Sequence, residues 1–239
     1  MSFDSDVGDS AASITLSRGD SLPLYQPRCE PHITGMPILK IARMGHYILN
    51  QRADEVADPT VPDVARLVAA MVETMEDADG TGLAAPQVHM PWRIVVYKVM
   101  AERARAEVGT EADDWDDEGA ASREVPATAM INPVVEPLGE DTNMGFEACL
   151  SVPDMAGSVR RFNNVRVTYQ TLDGETVECE AESFHARVIQ HECDHLDGIL
   201  YPMRIEDMSQ FGYVDELRKR AGAAEGEDEE EVSNAAADD

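Results

Sequence analysis

The stretch that most constrains this chain is Gln190-His191-Glu192-Cys193-Asp194-His195-Leu196-Asp197-Gly198. It reads as a helix with Ser183 as N-cap and Gly198 as stop. Phe184, Val188 and His191 share one face. His191 and His195 lie one turn apart on one face, with Glu192 next to it. Two imidazoles so placed can hold a divalent metal while a carboxylate moves protons for a water at that metal. The same five-residue pattern also arises by chance on solvated helices, so the rest of the chain must decide.

Upstream, Pro37-Ile38-Leu39-Lys40-Ile41 begins the folded part. Thr60, with Asp63 three residues on and Pro62 in the first turn, predicts the start of a helix. Val64, Leu67, Val68, Met71 and Met75 follow at core-facing spacing, and Gly80 is the expected end. Gly80-Thr81-Gly82-Leu83-Ala84-Ala85-Pro86-Gln87 then lets other backbone approach closely, and Gln87 is its one side chain able to donate from an amide. By itself it also fits a plain turn. Strands are expected over Arg93–Val99 and Ala129–Val135. Glu147-Ala148-Cys149-Leu150-Ser151 sets a cysteine beside a carboxylate. That cysteine is either a buried hydrophobe or the third ligand of a site that leaves a fourth position for water. Val165, Val167 and Tyr169, the Asp173-Gly174 turn, and Val177, Cys179 and Ala181 predict a hairpin.

At 239 residues and 43% hydrophobic content the chain can build one sizeable core with residues left for tails. The net charge of −28 excludes a broad nucleic-acid footprint. Residues 101–125 hold nine acidic and three basic residues, and residues 221–239 hold eight acidic and none basic. These two stretches carry −14 of the −28, so half the excess is expected outside the core. No apolar run approaches the ~20 residues of a membrane span. Met1 to Gly8 holds Asp4 and Asp6 without a basic residue, unlike a secretory signal. Cys29, Cys149, Cys179 and Cys193 show no disulfide-framework spacing, so a reducing cytoplasm is expected. The expected organisation is a polar extension over 1–35, a catalytic domain over 36–208 with an acidic insert at about 101–125, a short helix over 209–220 and a disordered tail over 221–239.

Together the motifs resemble the peptide deformylase family, which shows GxGLAAxQ, EGCLS and QHExDHLxG segments in that order. Here they stand as Gly80 to Gln87, Glu147 to Ser151 and Gln190 to Gly198. The resemblance runs from about Ile38 to Arg204. It implies an α+β fold, with mostly antiparallel β-sheets around the central HExxH helix. It also implies release of formate from the N-terminal formyl-methionine of nascent chains. Carried over by motif, Cys149, His191 and His195 are the implied metal ligands and Glu192 the general acid/base. Gln87 and the backbone N–H of Leu150 are the implied oxyanion donors. Gly82, Glu147, Ala148, Phe184 and Val188 are implied to meet the peptide, though Phe184 and Val188 fit core packing nearly as well. The implied cofactor is one divalent ion, ferrous iron ahead of zinc, nickel or cobalt; thiolate and imidazole suit any of them. The implied partners are nascent formyl-methionyl peptides and, transiently, the ribosome, with no DNA and no membrane, and the expected state is a monomer.

Two residues depart from the family pattern. Ala148 stands where EGCLS has glycine, and Ala156 stands where many relatives carry arginine. They leave open a homologue that binds N-terminal peptides without turnover or with altered specificity. A metallopeptidase with HExxH would need a third ligand downstream, and no His or Cys follows His195. An ion pair between Asp194 and Arg161 is also expected, fixing the motif helix against the sheet.

Overall fold

The computed structural model describes residues 37–100 and 124–221. The expected N-terminal extension, nearly all of the acidic insert and the tail beyond residue 221 lie outside these residues. The apolar run Ile94–Val99 forms strand β2, and its lack of alternation has a direct cause, since both faces are covered. On one face Ile94 and Val96 meet Val64, Val68, Met71 and Met75 of helix α1 (Pro62–Asp77). On the other, Val95, Tyr97 and Val99 meet Ala186, Val188, Ile189, Cys193 and Leu196 of helix α2 (Ser183–Leu196). The helix carrying both histidines is therefore buried against the sheet.

β2 lies between β1 (Gly82–Ala84) and β3 (Val125–Pro137). The hairpin β6 (Asn164–Gln170) and β7 (Thr176–Glu182) completes a five-stranded antiparallel sheet ordered β1-β2-β3-β6-β7. In the hairpin Val165 faces Ala181, Val167 faces Cys179 and Tyr169 faces Val177, the alternation expected from the sequence. A second antiparallel sheet is ordered β4-β5-β8, from β4 (Thr142–Cys149), β5 (Val152–Phe162) and β8 (Phe211–Tyr213). Helix α2 touches strands of both sheets, so the α+β architecture around a central helix holds.

Several local expectations change. Helix α1 starts at Pro62 behind Val61, with no side-chain cap. Thr60 lies one residue before the cap position, and its hydroxyl donates to Asp58 Oδ1 at 2.7 Å. The helix ends at Asp77, and the left-handed residue is Asp79 (φ 51°) rather than Gly80. Ser183 does not cap α2; Glu182 precedes it, and Ser183 itself has φ 52°. Residues 209–213 are not helical: Met208–Gln210 form a 3₁₀ turn and Phe211–Tyr213 pair with β5 as Met155↔Tyr213, Ala156↔Gly212 and Gly157↔Phe211. A strand of three residues carries too short a pattern to read, and pairing to β5 decides it. The domain thus runs past residue 208, and a helix α3 begins only at 214 and extends to 221. β3 begins at Val125, inside the expected insert, and Val125 pairs with Val99.

β3 also bends where its register shifts between Ile131 and Val134. Asn132 makes the bend with φ 52°, a conformation asparagine tolerates better than most residues. Its side chain accepts from the N–H of Val56 at 2.8 Å and donates to the carbonyl of Val56 at 2.9 Å. Asn132→Ala loses both bonds and keeps the strained φ. It is expected to lower the unfolding free energy by about 2 kcal/mol, read from denaturant midpoints.

Candidate active site

The approach of β4 to α2 builds the site. β4 delivers Glu147 and Cys149, and a register shift between Ala148 and Cys149 turns the chain into Leu150 and Ser151. Helix α2 delivers His191, Glu192 and His195, all buried. The candidate ligand atoms of Cys149, His191 and His195 all lie within 4.8 Å of one another. Cys149 Sγ is 3.3 Å from His195 Nε2. The two imidazole rings stand nearly perpendicular, with centroids 5.1 Å apart.

Electrostatics favour a charged sulfur. Burial alone would raise the Cys149 thiol, but the imidazoles of His195 and His191 reverse this and hold it well below the usual thiol range. Burial likewise opposes charge on His191, yet its hydrogen bonds to Cys149 and Glu147 raise it well above the ordinary imidazole value. Glu192 is pushed up to about 7, chiefly by desolvation, against the pull of His191 and His195. Its Oε2 is buried and has no hydrogen-bond partner among the described residues.

Gln87 reaches the site from the 3₁₀ turn Ala85–Val88 that follows β1. Its Oε1 accepts from the N–H of Ala84 at 2.8 Å, which fixes the amide. Its Nε2 then donates to Ser151 Oγ at 3.1 Å and faces Cys149 Sγ at 3.5 Å. Gly82 has a steric reason to be glycine. A Cβ there would fall 2.3 Å from Glu192 Oε1, inside the carboxylate itself. Gly82, Gln87, Glu147, Ala148, Cys149, Leu150, Phe184, Val188, His191 and Glu192 all line one cavity of about 600 Å³. His195 is not on that lining and lies behind it, 1% exposed. Phe184 and Val188 pack on the core and also line the cavity.

Glu147, expected to meet the peptide, spends its carboxylate elsewhere. Oε2 bonds His191 Nδ1 at 2.8 Å, which turns the other ring nitrogen, Nε2, towards Cys149. Arg161 grips both oxygens at 2.8 and 2.9 Å, and Arg187 adds a bond at 3.1 Å. Burial would raise this carboxyl, but Arg161 and His191 hold it far below the usual range. Arg161 also binds Asp194 at 2.7 Å, the ion pair expected from the sequence, and Arg204 binds the same carboxylate. Arg187, Arg204 and Ser151 were not singled out by sequence reasoning. Arg187 does stand one helical turn before His191, the one local hint available.

The comparisons agree with this geometry. The polypeptide deformylase family model matches residues 38–211. Peptide deformylase 1 of Bordetella pertussis is 41% identical over 177 residues, covering 74% of this chain and 93% of that protein. Peptide deformylase 1 of Xanthomonas campestris pv. campestris is 41% identical over 180 residues, covering 75% and 97%. Among solved structures, the class I type b peptide deformylase of Acinetobacter baumannii bound to Met-Ala-Ser has a TM-score of 0.60 at 34% identity, covering 71% of this chain and 99% of that one. The peptide deformylase of Thermotoga maritima has a TM-score of 0.58 at 33% identity, covering 72% and 99%.

Arg161→Met removes one partner from a buried charge cluster and leaves Glu147 and Asp194 short of cations. A loss of about 3–5 kcal/mol of stability is expected, measured by denaturant unfolding.

Proposed function

The chain belongs to the peptide deformylase family, and on that premise we propose that its cleft removes the N-formyl group from the formyl-methionine of nascent polypeptides and releases formate. The observation that carries this reading is the meeting of a sulfur and two imidazoles from β4 and α2, with Cys149 and His191 in the wall of one cavity beside Glu192 and His195 behind them.

The residues fit a divalent ion. A thiolate and two imidazoles are a three-donor set that leaves a fourth position open, and the bond from His191 Nδ1 to Glu147 orients Nε2 of that ring towards the same point. Cys149, His191 and His195 would hold the ion, which we assign as ferrous iron, with zinc, nickel or cobalt compatible with the same donors. When bound, it supplies Lewis-acid activation of water and of the formyl carbonyl.

The chain's own groups do the rest. Glu192 takes a proton from the attacking water and hands it to the departing amine; a carboxyl poised at about 7 suits both transfers near neutral pH. The Gln87 amide, fixed through Ala84, and the backbone N–H of Leu150 donate to the oxygen that gains charge as the carbonyl becomes tetrahedral. Gly82, Phe184 and Val188 receive the methionine side chain, and Ala148 lies along the peptide. The Acinetobacter relative bound to Met-Ala-Ser supports a peptide of this kind in the cleft. We further propose a cytoplasmic monomer that meets nascent chains transiently at the ribosome. No described helix is long and apolar enough to cross a membrane. A binding-only homologue is not favoured, because the candidate ligands, the acid/base and the amide donor are all in place.

Formate release from a formyl-Met peptide by anaerobically purified protein, with metal analysis, tests the reading; cleavage of the peptide chain instead would mark a peptidase. Glu192→Ala should keep its metal and lose nearly all turnover, and retained turnover would strip Glu192 of its role. Gln87→Ala should slow formate release by ~10²–10³ with metal content unchanged. A metal-depleted Gln87→Ala protein with normal turnover per ion would refute the donor assignment.

A further inference from the structure

On the side of α2 away from the catalytic cleft lies a cavity of about 650 Å³, and no residue lines both spaces. Gln190, Cys193, Asp194 and Asp197 mark that side of the helix. Five arginines reach the cavity: Arg52, Arg93, Arg160, Arg161 and Arg204. Three carboxylates answer them, those of Asp194, Asp197 and Glu206, so the lining keeps an excess of two positive charges. Glu147, which Arg161 also binds, lies outside this lining and is matched separately by Arg187. Arg93 is fixed by Asp197 at 2.8 Å and by the carbonyls of Leu196 and Pro133. Arg160 clasps Glu206 and Arg204 clasps Asp194, each through Nε and Nη2. Among the described residues, Nη1 of neither makes a hydrogen bond. Arg52 approaches Asp197 only at 3.8 Å, and its side chain is 76% exposed. The rest of the wall is apolar, from Pro133, Val135 and Phe162, with Val134 and Met203 exposed at 58% and 53%.

We propose that this cavity binds a phosphate monoester carrying a flat apolar body, the chemical class to which mononucleotides belong. The volume falls within the ~300–1,000 Å³ of small-molecule sites, and convergent polar groups beside an apolar wall are what such sites are built from. Charge selects the head group. A phosphate monoester carries close to two negative charges at neutral pH, which matches the excess in the lining. Its three terminal oxygens accept hydrogen bonds, and the unused edges of Arg52, Arg160 and Arg204 supply donors in the planar arrangement that suits phosphate. A carboxylate would offer half the charge and one acceptor oxygen fewer. The wall selects the body. Val134 and Met203 leave water when a flat apolar group covers them, and the exposed guanidinium of Arg52 can stack on the same group. The strongly acidic chain repels anions at long range, so recognition here is local and sensitive to salt. The inference stands apart from the deformylase reading, because its readout is binding and not turnover.

The test titrates the full-length, metal-loaded protein calorimetrically at low ionic strength with adenosine monophosphate, phenyl phosphate, inorganic phosphate and adenosine. Adenosine monophosphate or phenyl phosphate should bind with a Kd of about 0.1 mM, and phosphate and adenosine about tenfold or more weakly. Arg52→Ala and Arg160→Ala should each weaken the tighter ligand about tenfold, the second because it also leaves Glu206 unpaired in the lining. Val134→Asp, which sets a carboxylate on the apolar wall, should abolish binding. These three positions lie outside the catalytic cleft, so formate release should be unchanged in each variant. Equal affinity for adenosine monophosphate, phenyl phosphate and bare phosphate overturns the proposal, as does the lack of saturable binding by any of them. Affinity that survives both arginine substitutions overturns it as well. Competitive inhibition of formate release by the bound monoester, undiminished in Arg52→Ala, places the ligand in the catalytic cleft and overturns the rear site.

Discussion

The buried carboxylate of Glu147 is the interaction on which the rest of the structure depends. It sits on an edge strand of the second sheet and is satisfied by groups from two other elements: Arg161 from β5, and Arg187 and His191 from α2. A carboxylate 6% exposed is tolerated only with such complete pairing. Apolar packing could join β4 to the helix at many angles. The paired, directional bonds to Arg161 allow few. One helical turn along, Asp194 repeats the arrangement with Arg161 and Arg204. The two clusters fix how far β4 and α2 can slide past each other, and that sliding distance is what separates Cys149 from the histidines.

Charge within the site follows from the same constraint. Guanidinium and carboxylate cancel behind His191, while Cys149 and Glu192 keep charges or protons that no such partner fully settles. Order lies behind the imidazoles and chemical readiness in front of them. Gly82 contributes on the front side by absence, since the space a methyl group would fill is occupied by the Glu192 carboxylate. The large net negative charge has little part in this. Half of it comes from two stretches of sequence, residues 101–125 and 221–239.

Much of this was legible beforehand, and for identifiable reasons. Helix α1, the β6–β7 hairpin and the motif helix announce themselves through periodicities of 3.6 and 2, because one face of each is buried. Gln87, Cys149, His191 and Glu192, which share one cavity, were legible from three short motifs whose order and chemistry restrict what they can jointly do. The helix starts misled by a single residue each: Val61 rather than Thr60 precedes α1, and Glu182 rather than Ser183 precedes α2. β8 was hidden because three residues have no period, and only the facing edge of β5 makes them a strand. The partners of the Glu147 carboxylate were hidden because they lie 14 to 44 residues away, a separation that no local pattern records. Arg187 and Arg204 were missed because tertiary contact, not sequence spacing, selects their carboxylate partners.

The pairing of Val99 with Val125 closes the neck from which residues 101–123 depart. Beyond a closed neck, chain length contributes to stability only logarithmically. The register of β2 and β3 is set on the near side of that neck, by Ile94 against Ile131 and Val95 against Met130. The fold therefore offers a graft point at which a fluorescent module or an affinity handle can replace residues 101–123 on the far side of that register.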